Sequence, residues 1–92
     1  MNTVREGNTL IVDIHGMRVE PAKFQLETII QNCNADITEI IVIHGYNTGQ
    51  ALKNMVREEL NAPRIRQITA SLNAGKTVIA LHKKNDFLGE QG

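Results

Sequence analysis

Along residues 10–15 apolar and polar side chains alternate, with Leu10, Val12 and Ile14 on one side and Ile11, Asp13 and His15 on the other. A period of two predicts a strand, with the Leu10 side turned toward helices. Gly16 ends it. From about Pro21 the period lengthens. Ala22, Leu26, Ile29, Ile30 and Cys33 fall on one helical stripe. Pro21 suits the first turn, Glu20 suits the positive end of the helix dipole, and Asn32 and Asn34 mark the exit. Residues 39–44 are β-branched and nearly all apolar, which predicts a central strand covered by other elements. After the irregular stretch Gly45-Tyr46-Asn47-Thr48-Gly49 a second helix carries Leu52, Met55, Val56 and Leu60 on one stripe. Thr48 is its N-cap, and Asn61-Ala62-Pro63 stops it. The last third predicts a hairpin: residues 65–72, a turn at 73–76, and residues 77–82.

The resulting order is strand, helix, strand, helix, strand, strand. Right-handed crossovers place both helices on one side of the sheet. The expected fold is a two-layer α/β βαβαββ arrangement, a four-stranded mixed sheet with two helices packed on one face. Residues 1–9 are read as an N-terminal extension, 10–83 as the domain, and 84–92 as a flexible C-terminal tail.

Composition narrows the function classes. A chain of 92 residues supports one core. Ten Lys and Arg against ten Asp and Glu give a formal charge of zero, which excludes an overall basic coat but leaves room for a local basic patch. With Trp absent and aromatics at 3%, the composition excludes an aromatic stacking platform for single strands. Cys33, the single cysteine, excludes an internal disulfide and fits a reducing compartment; its place on the apolar stripe makes it a packing residue. No apolar segment of signal or membrane-spanning length is present, so the expected location is cytoplasmic.

The chemistry gathers at one edge. Two strands end in the same dipeptide, His15-Gly16 and His44-Gly45, and parallel strands of a βαβ unit bring both to the carboxyl edge, where open α/β sheets bind ligands. The rings of His15 and His44 are expected to face a shared depression. Asp13, two residues before His15, shares its face and can orient the imidazole for acid/base work. The 45–49 loop leads into a helix N-terminus, where backbone N–H groups hold anions. Arg18, Lys53 and Lys76 can reach this edge, whereas His82 belongs at the opposite one. Asp13, His15 and His44 form a conceivable three-ligand metal set, but no close ligand spacing supports it, and no metal site is assigned.

The stretch Val12-Asp13-Ile14-His15-Gly16-Met17, followed by Ile43-His44-Gly45-Tyr46-Asn47-Thr48-Gly49-Gln50-Ala51-Leu52-Lys53, resembles the Smr (small MutS-related) domain family. Val56-Arg57 and Gly75-Lys76-Thr77-Val78-Ile79-Ala80-Leu81 extend the likeness. The resemblance implies the βαβαββ fold and cleavage or nicking of DNA or RNA with little sequence preference. It ties Asp13 and His15 to cleavage. It ties His44, Gly45, Thr48 and Gly49 to binding and the active site. Three positions depart from the family's pattern: Tyr46 where a small or basic residue is common, Asn47 in place of the middle glycine, and Lys53 in place of arginine.

The expected function is therefore a nucleic-acid-binding domain acting as an endonuclease on phosphodiesters. Its catalytic residues are Asp13, His15 and His44. Gly45, Asn47, Thr48, Gly49, Lys53, Arg18 and Lys76 bind nucleic acid. A divalent ion such as Mg²⁺ is the one cofactor this reading leaves open. The alternatives are a non-cleaving module that binds nucleic acid or protein, and a domain that dimerises through an apolar sheet face at Ile11, Ile41 and Ile43.

Overall fold

The alternation at residues 10–15 forms a strand over Thr9–Asp13, with Ile14 and His15 just past its end, and it is not the first strand. A computed structural model describes residues 1–46 and 50–82; the expectations for Asn47, Thr48, Gly49 and the tail at 84–92 lie outside the described residues. The elements are β1 (Asn2–Glu6), β2 (Thr9–Asp13), α1 (Val19–Asn32), β3 (Glu39–Ile43), α2 (Gln50–Glu58), β4 (Ile65–Ala70) and β5 (Lys76–Leu81). The sheet has five strands in the order β1-β2-β3-β5-β4, not the four expected. β1 pairs antiparallel with β2 through a tight turn at Gly7-Asn8, where Gly7 takes φ +61°. All five residues of β1 are exposed. An edge strand that buries nothing leaves no hydrophobic alternation to read.

β2 and β3 run parallel, and β5 pairs antiparallel with both β3 and β4. The β4–β5 turn therefore lies at the carboxyl edge of β2 and β3, with Lys76 opposite Ile43. His82 lies at the other edge, as expected.

The core is built on one face. Val12 and Ile14, Ile40 and Val42, and Ile79 and Leu81 meet Ala22, Leu26 and Ile30 of α1 and Leu52, Met55 and Val56 of α2 in one buried cluster. Each Val, Leu, Ile or Met side chain among them contributes about 1.5–3 kcal/mol on burial. α1 and α2 also touch each other. The odd-numbered residues Ile11, Ile41 and Ile43 lie half-buried on the face away from the helices. Among the described residues no helix is long and apolar enough to cross a membrane.

One charged residue holds this frame together from inside. Arg64, 1% exposed, follows the α2 exit. Its Nε donates to the His82 carbonyl (3.0 Å), Nη1 to those of Ile30 (3.1 Å) and Cys33 (3.0 Å), and Nη2 to those of Asn34 (2.8 Å) and Ile37 (2.9 Å). Nη1 also donates to Cys33 Sγ at 3.0 Å. The cation is thus solvated by carbonyl dipoles, several of them at the negative end of α1. It fixes the α1–β3 connection to the end of β5.

Candidate functional site at the carboxyl edge of the sheet

The register of β2 on β3 decides what the two His-Gly pairs can do. Asp13 aligns with Ile43, and Ile14 N–H donates to the Ile43 carbonyl at 2.9 Å. Continuing that register sets Ile14 beside His44 and His15 beside Gly45. A methyl built on Gly45 would lie 3.6 Å from His15 Cβ. The identical dipeptides are therefore offset by one residue, and a shift of one residue reverses the face. His15 shares the open face with Asp13, and His44 shares the helix face with Ile40 and Val42. Both histidines reach the same edge, but their rings do not share a depression. Each is followed by a left-handed glycine, Gly16 at φ +81° and Gly45 at φ +89°, a conformation that β-carbon sterics disfavour for other residues.

Asp13 and His15 form a coupled pair. The Asp13 Oδ1 accepts from the His15 ring Nδ1 at 2.5 Å and from the His15 backbone N–H at 3.1 Å. With Nδ1–H committed to the carboxylate, the neutral ring carries its lone pair on Nε2. The His15 side chain is 69% exposed and that of Asp13 26%. The hydrogen bond from His15 is the largest influence holding the Asp13 carboxyl below its ordinary pKa. The geometry provides an oriented imidazole open to solvent at Nε2.

His44 has different surroundings. It is 1% exposed, its Nδ1 lies 3.1 Å from the Gly45 carbonyl, and its Nε2 lies 2.9 Å from Thr77 Oγ1. A carbonyl only accepts, so Nδ1 carries the proton and the Thr77 hydroxyl donates to Nε2. Thr77 Oγ1 accepts in turn from Arg57 Nε at 3.1 Å. Burial lowers the His44 pKa; the Gly45 carbonyl opposes the shift, while Arg57 and Lys53 reinforce it. The ring is neutral, with both nitrogens engaged by the protein.

The rim is partly committed as well. The backbone N–H groups of His44 and Gly45 both donate to the Gly75 carbonyl, at 2.9 and 3.1 Å, tying the β3 exit to the β4–β5 turn. The Gly45 N–H is therefore not free to bind an anion. Lys76, opposite Ile43, is on the open face with Asp13. Lys53 is half-buried on α2, on the helix side with His44. Arg18 is exposed at the start of α1, where its carbonyl accepts from Ala22 N–H at 3.1 Å. Asn47, Thr48 and Gly49 lie outside the described residues. Among the described residues no group of three or more His, Cys, Asp or Glu side chains is gathered for a metal ion. Asp13 alone could contact a Mg²⁺ that kept most of its water.

Sequence reasoning attached no role to Arg57 and Thr77 in the His44 network. Their signals were faint: Arg57 is one turn beyond Lys53, and Thr77 is the polar residue on the inward period of β5.

Comparison with known proteins accords with this layout. The Smr domain model matches residues 12–83, a span that takes in both His-Gly pairs and the closing hairpin but leaves out β1. No curated protein matches the chain. Among solved structures the chain is similar to the crystal structure of the Smr domain of Thermus thermophilus MutS2, with a TM-score of 0.60 and 24% identity over 78% of this chain and 96% of that one. That likeness carries the fold. With the family model spanning most of its length, the chain belongs to the Smr domain family.

Proposed function

We propose that this Smr domain binds DNA or RNA and cleaves its phosphodiester bonds, with His15 Nε2 as the proton-transfer atom. The observation that carries the reading is the Asp13–His15 pair at the carboxyl edge, with Nδ1 committed to the carboxylate and Nε2 open. Nε2 takes a proton from an attacking water as its oxygen bonds to phosphorus. The bond to the leaving oxygen breaks, and that oxygen takes up a proton from solvent, to which the imidazolium then returns its own. Asp13 holds the ring in the required tautomer and stabilises the imidazolium that forms. Lys76 on the same face, and Arg18 at the start of α1, supply positive charge for the phosphates. His44 supports the loop from below, through Thr77 and the Gly45 carbonyl, as a positioning group.

A divalent ion enters the test as a variable. Labelled single-stranded and duplex DNA and RNA are incubated with the protein, with and without chelator. His15→Ala is expected to lower the cleavage rate by about 10²–10⁴ while leaving binding nearly intact. Asp13→Asn is expected to lower it too, because an amide cannot favour the imidazolium. Cleavage by His15→Ala at the parent rate, or none by the parent under any ion condition, removes the nuclease reading. A parent that binds without cleaving leaves the second reading, a binding module of the same fold. The Gly45 N–H held by the Gly75 carbonyl favours that reading, since it takes one donor out of the phosphate loop.

A further inference from the structure

Composition argued against an aromatic platform, because the chain has one Tyr, two Phe and no Trp. The structure places the single tyrosine one residue past Gly45, against the β4–β5 turn at the carboxyl edge of the sheet. Tyr46 follows Gly45, whose α-carbon adjoins His15. Its hydroxyl donates to Asn73 Oδ1 at 2.8 Å, and the same oxygen accepts from the Gly75 N–H at 2.9 Å. The Cδ2–Cε2 edge of the ring lies against Gly75, where a methyl would come within 3.3 Å of it. Glycine at 75 thus leaves room for the ring to approach the β4–β5 turn. Although held along this edge, Tyr46 is still 64% exposed. An exposed aromatic tied down by a side-chain hydrogen bond and a backbone contact is already ordered, so a ligand that stacks on it loses little further entropy. The other aromatic side chain among the described residues, Phe24, is on α1 and belongs to no such arrangement.

We infer that Tyr46 is a stacking platform for one unpaired nucleobase of a single-stranded nucleic acid whose backbone passes His15. The inference rests on the nucleic-acid reading of this edge and assigns it a substrate preference: bases already free of a duplex. Every base offers a π-face, so the contact favours single strands without selecting sequence. It also compensates for a chain with no net positive charge, because stacking does not depend on counterion release.

The chain reports on itself, since Tyr46 is its single tyrosine and Trp is absent. Tyrosine fluorescence is followed while the full chain is titrated with a short oligothymidylate and, separately, with an abasic strand of equal length and charge. Quenching by the oligothymidylate and little by the abasic strand is expected. Tyr46→Ala should bind oligothymidylate about 5–150-fold more weakly, the range of one base–aromatic stack, with abasic binding unchanged. Tyr46→Phe keeps the ring and loses only the Asn73 bond, so it should bind within about twofold of the parent. Equal affinity of the parent for the two strands, or parent-like binding by Tyr46→Ala, overturns the platform and leaves the Asp13–His15 chemistry standing. Failure of the parent to bind either strand overturns the platform, and failure to bind duplex DNA and RNA as well overturns both.

Discussion

Replacing Arg64 by Met tests what the buried guanidinium contributes. Met fills similar space and offers no donor. Five carbonyls lose a bond of 3.1 Å or shorter: His82, Ile30, Cys33, Asn34 and Ile37. Water can reach the part-buried ones. The bonds to Ile30 and Ile37 are buried, and an unpartnered buried carbonyl costs about 1–3 kcal/mol. Two of them give about 2–6 kcal/mol. Relief of the buried charge offsets part of this, and a net loss of about 3 kcal/mol is expected. For 92 residues total stability is about 5–14 kcal/mol, so the loss is a large share of it. Arg64→Lys, with three donors and no planar fork, should fall between Met and the parent. Urea denaturation followed by circular dichroism measures the effect. A loss of 3 kcal/mol moves the midpoint down by about 1–3 M. A Met variant with an unchanged midpoint and slope would refute the reasoning: the guanidinium's desolvation would then cancel its hydrogen bonds.

Two further predictions concern the layer beneath the site. The His44 pKa is depressed in the folded chain, so between its unfolded value near 6.5 and its lower folded value the unfolded state holds more protons. Its contribution to stability is therefore complete above about pH 6.5 and is lost as pH falls toward the folded value, with a slope of at most about 1.4 kcal/mol per unit. His44→Gln should flatten the change in urea midpoint between about pH 7.5 and 5, and the same pH dependence in variant and parent would show the ring is not held neutral. Gly45→Ala should lose about 1–2 kcal/mol by the same assay, because φ +89° is unfavourable for a residue with a β-carbon, while its methyl meets His15 only at ordinary contact distance. Unchanged stability there would mean the turn relaxes without strain.

The two helices, the parallel pair β2–β3 and β5 were legible because each buries a face and so imposes a period on the residues, whereas β4, with no buried residue, followed from the turn at residues 73–76. β1 was not, because all its residues stay in water and its strand character comes from pairing with β2. The site was half legible. Asp13 ends β2 and His15 lies two residues on, close enough for the strand's period to set its face. The relation of His15 to His44 depends on the register between two strands, and neither strand's own pattern contains that register. Arg64 was hidden for a related reason. Apart from Cys33 Sγ its side-chain partners are main-chain carbonyls of residues 30–37 and of His82, and no side-chain pattern marks a carbonyl left over at a helix end.

The one-residue offset also explains why a repeated dipeptide can do two jobs. Past the end of β2 the histidine falls on the open face, where a carboxylate two residues back bonds Nδ1 and leaves the side chain largely exposed. On β3 it falls on the helix face, where Thr77 and the Gly45 carbonyl take both nitrogens and burial keeps it neutral. A charged ring beside Gly45 would meet Arg57 and Lys53 without a counterion among the described partners, so neutrality is the state the fold supports there. The glycine after each histidine serves the same end in both strands, a left-handed turn at the strand exit. What differs is the side of the sheet to which the preceding ring is delivered. Substitutions at His44 should therefore register first in stability and its pH dependence, and substitutions at His15 first in turnover. Pairing register separates two identical sequence motifs into a buried ring and an open one.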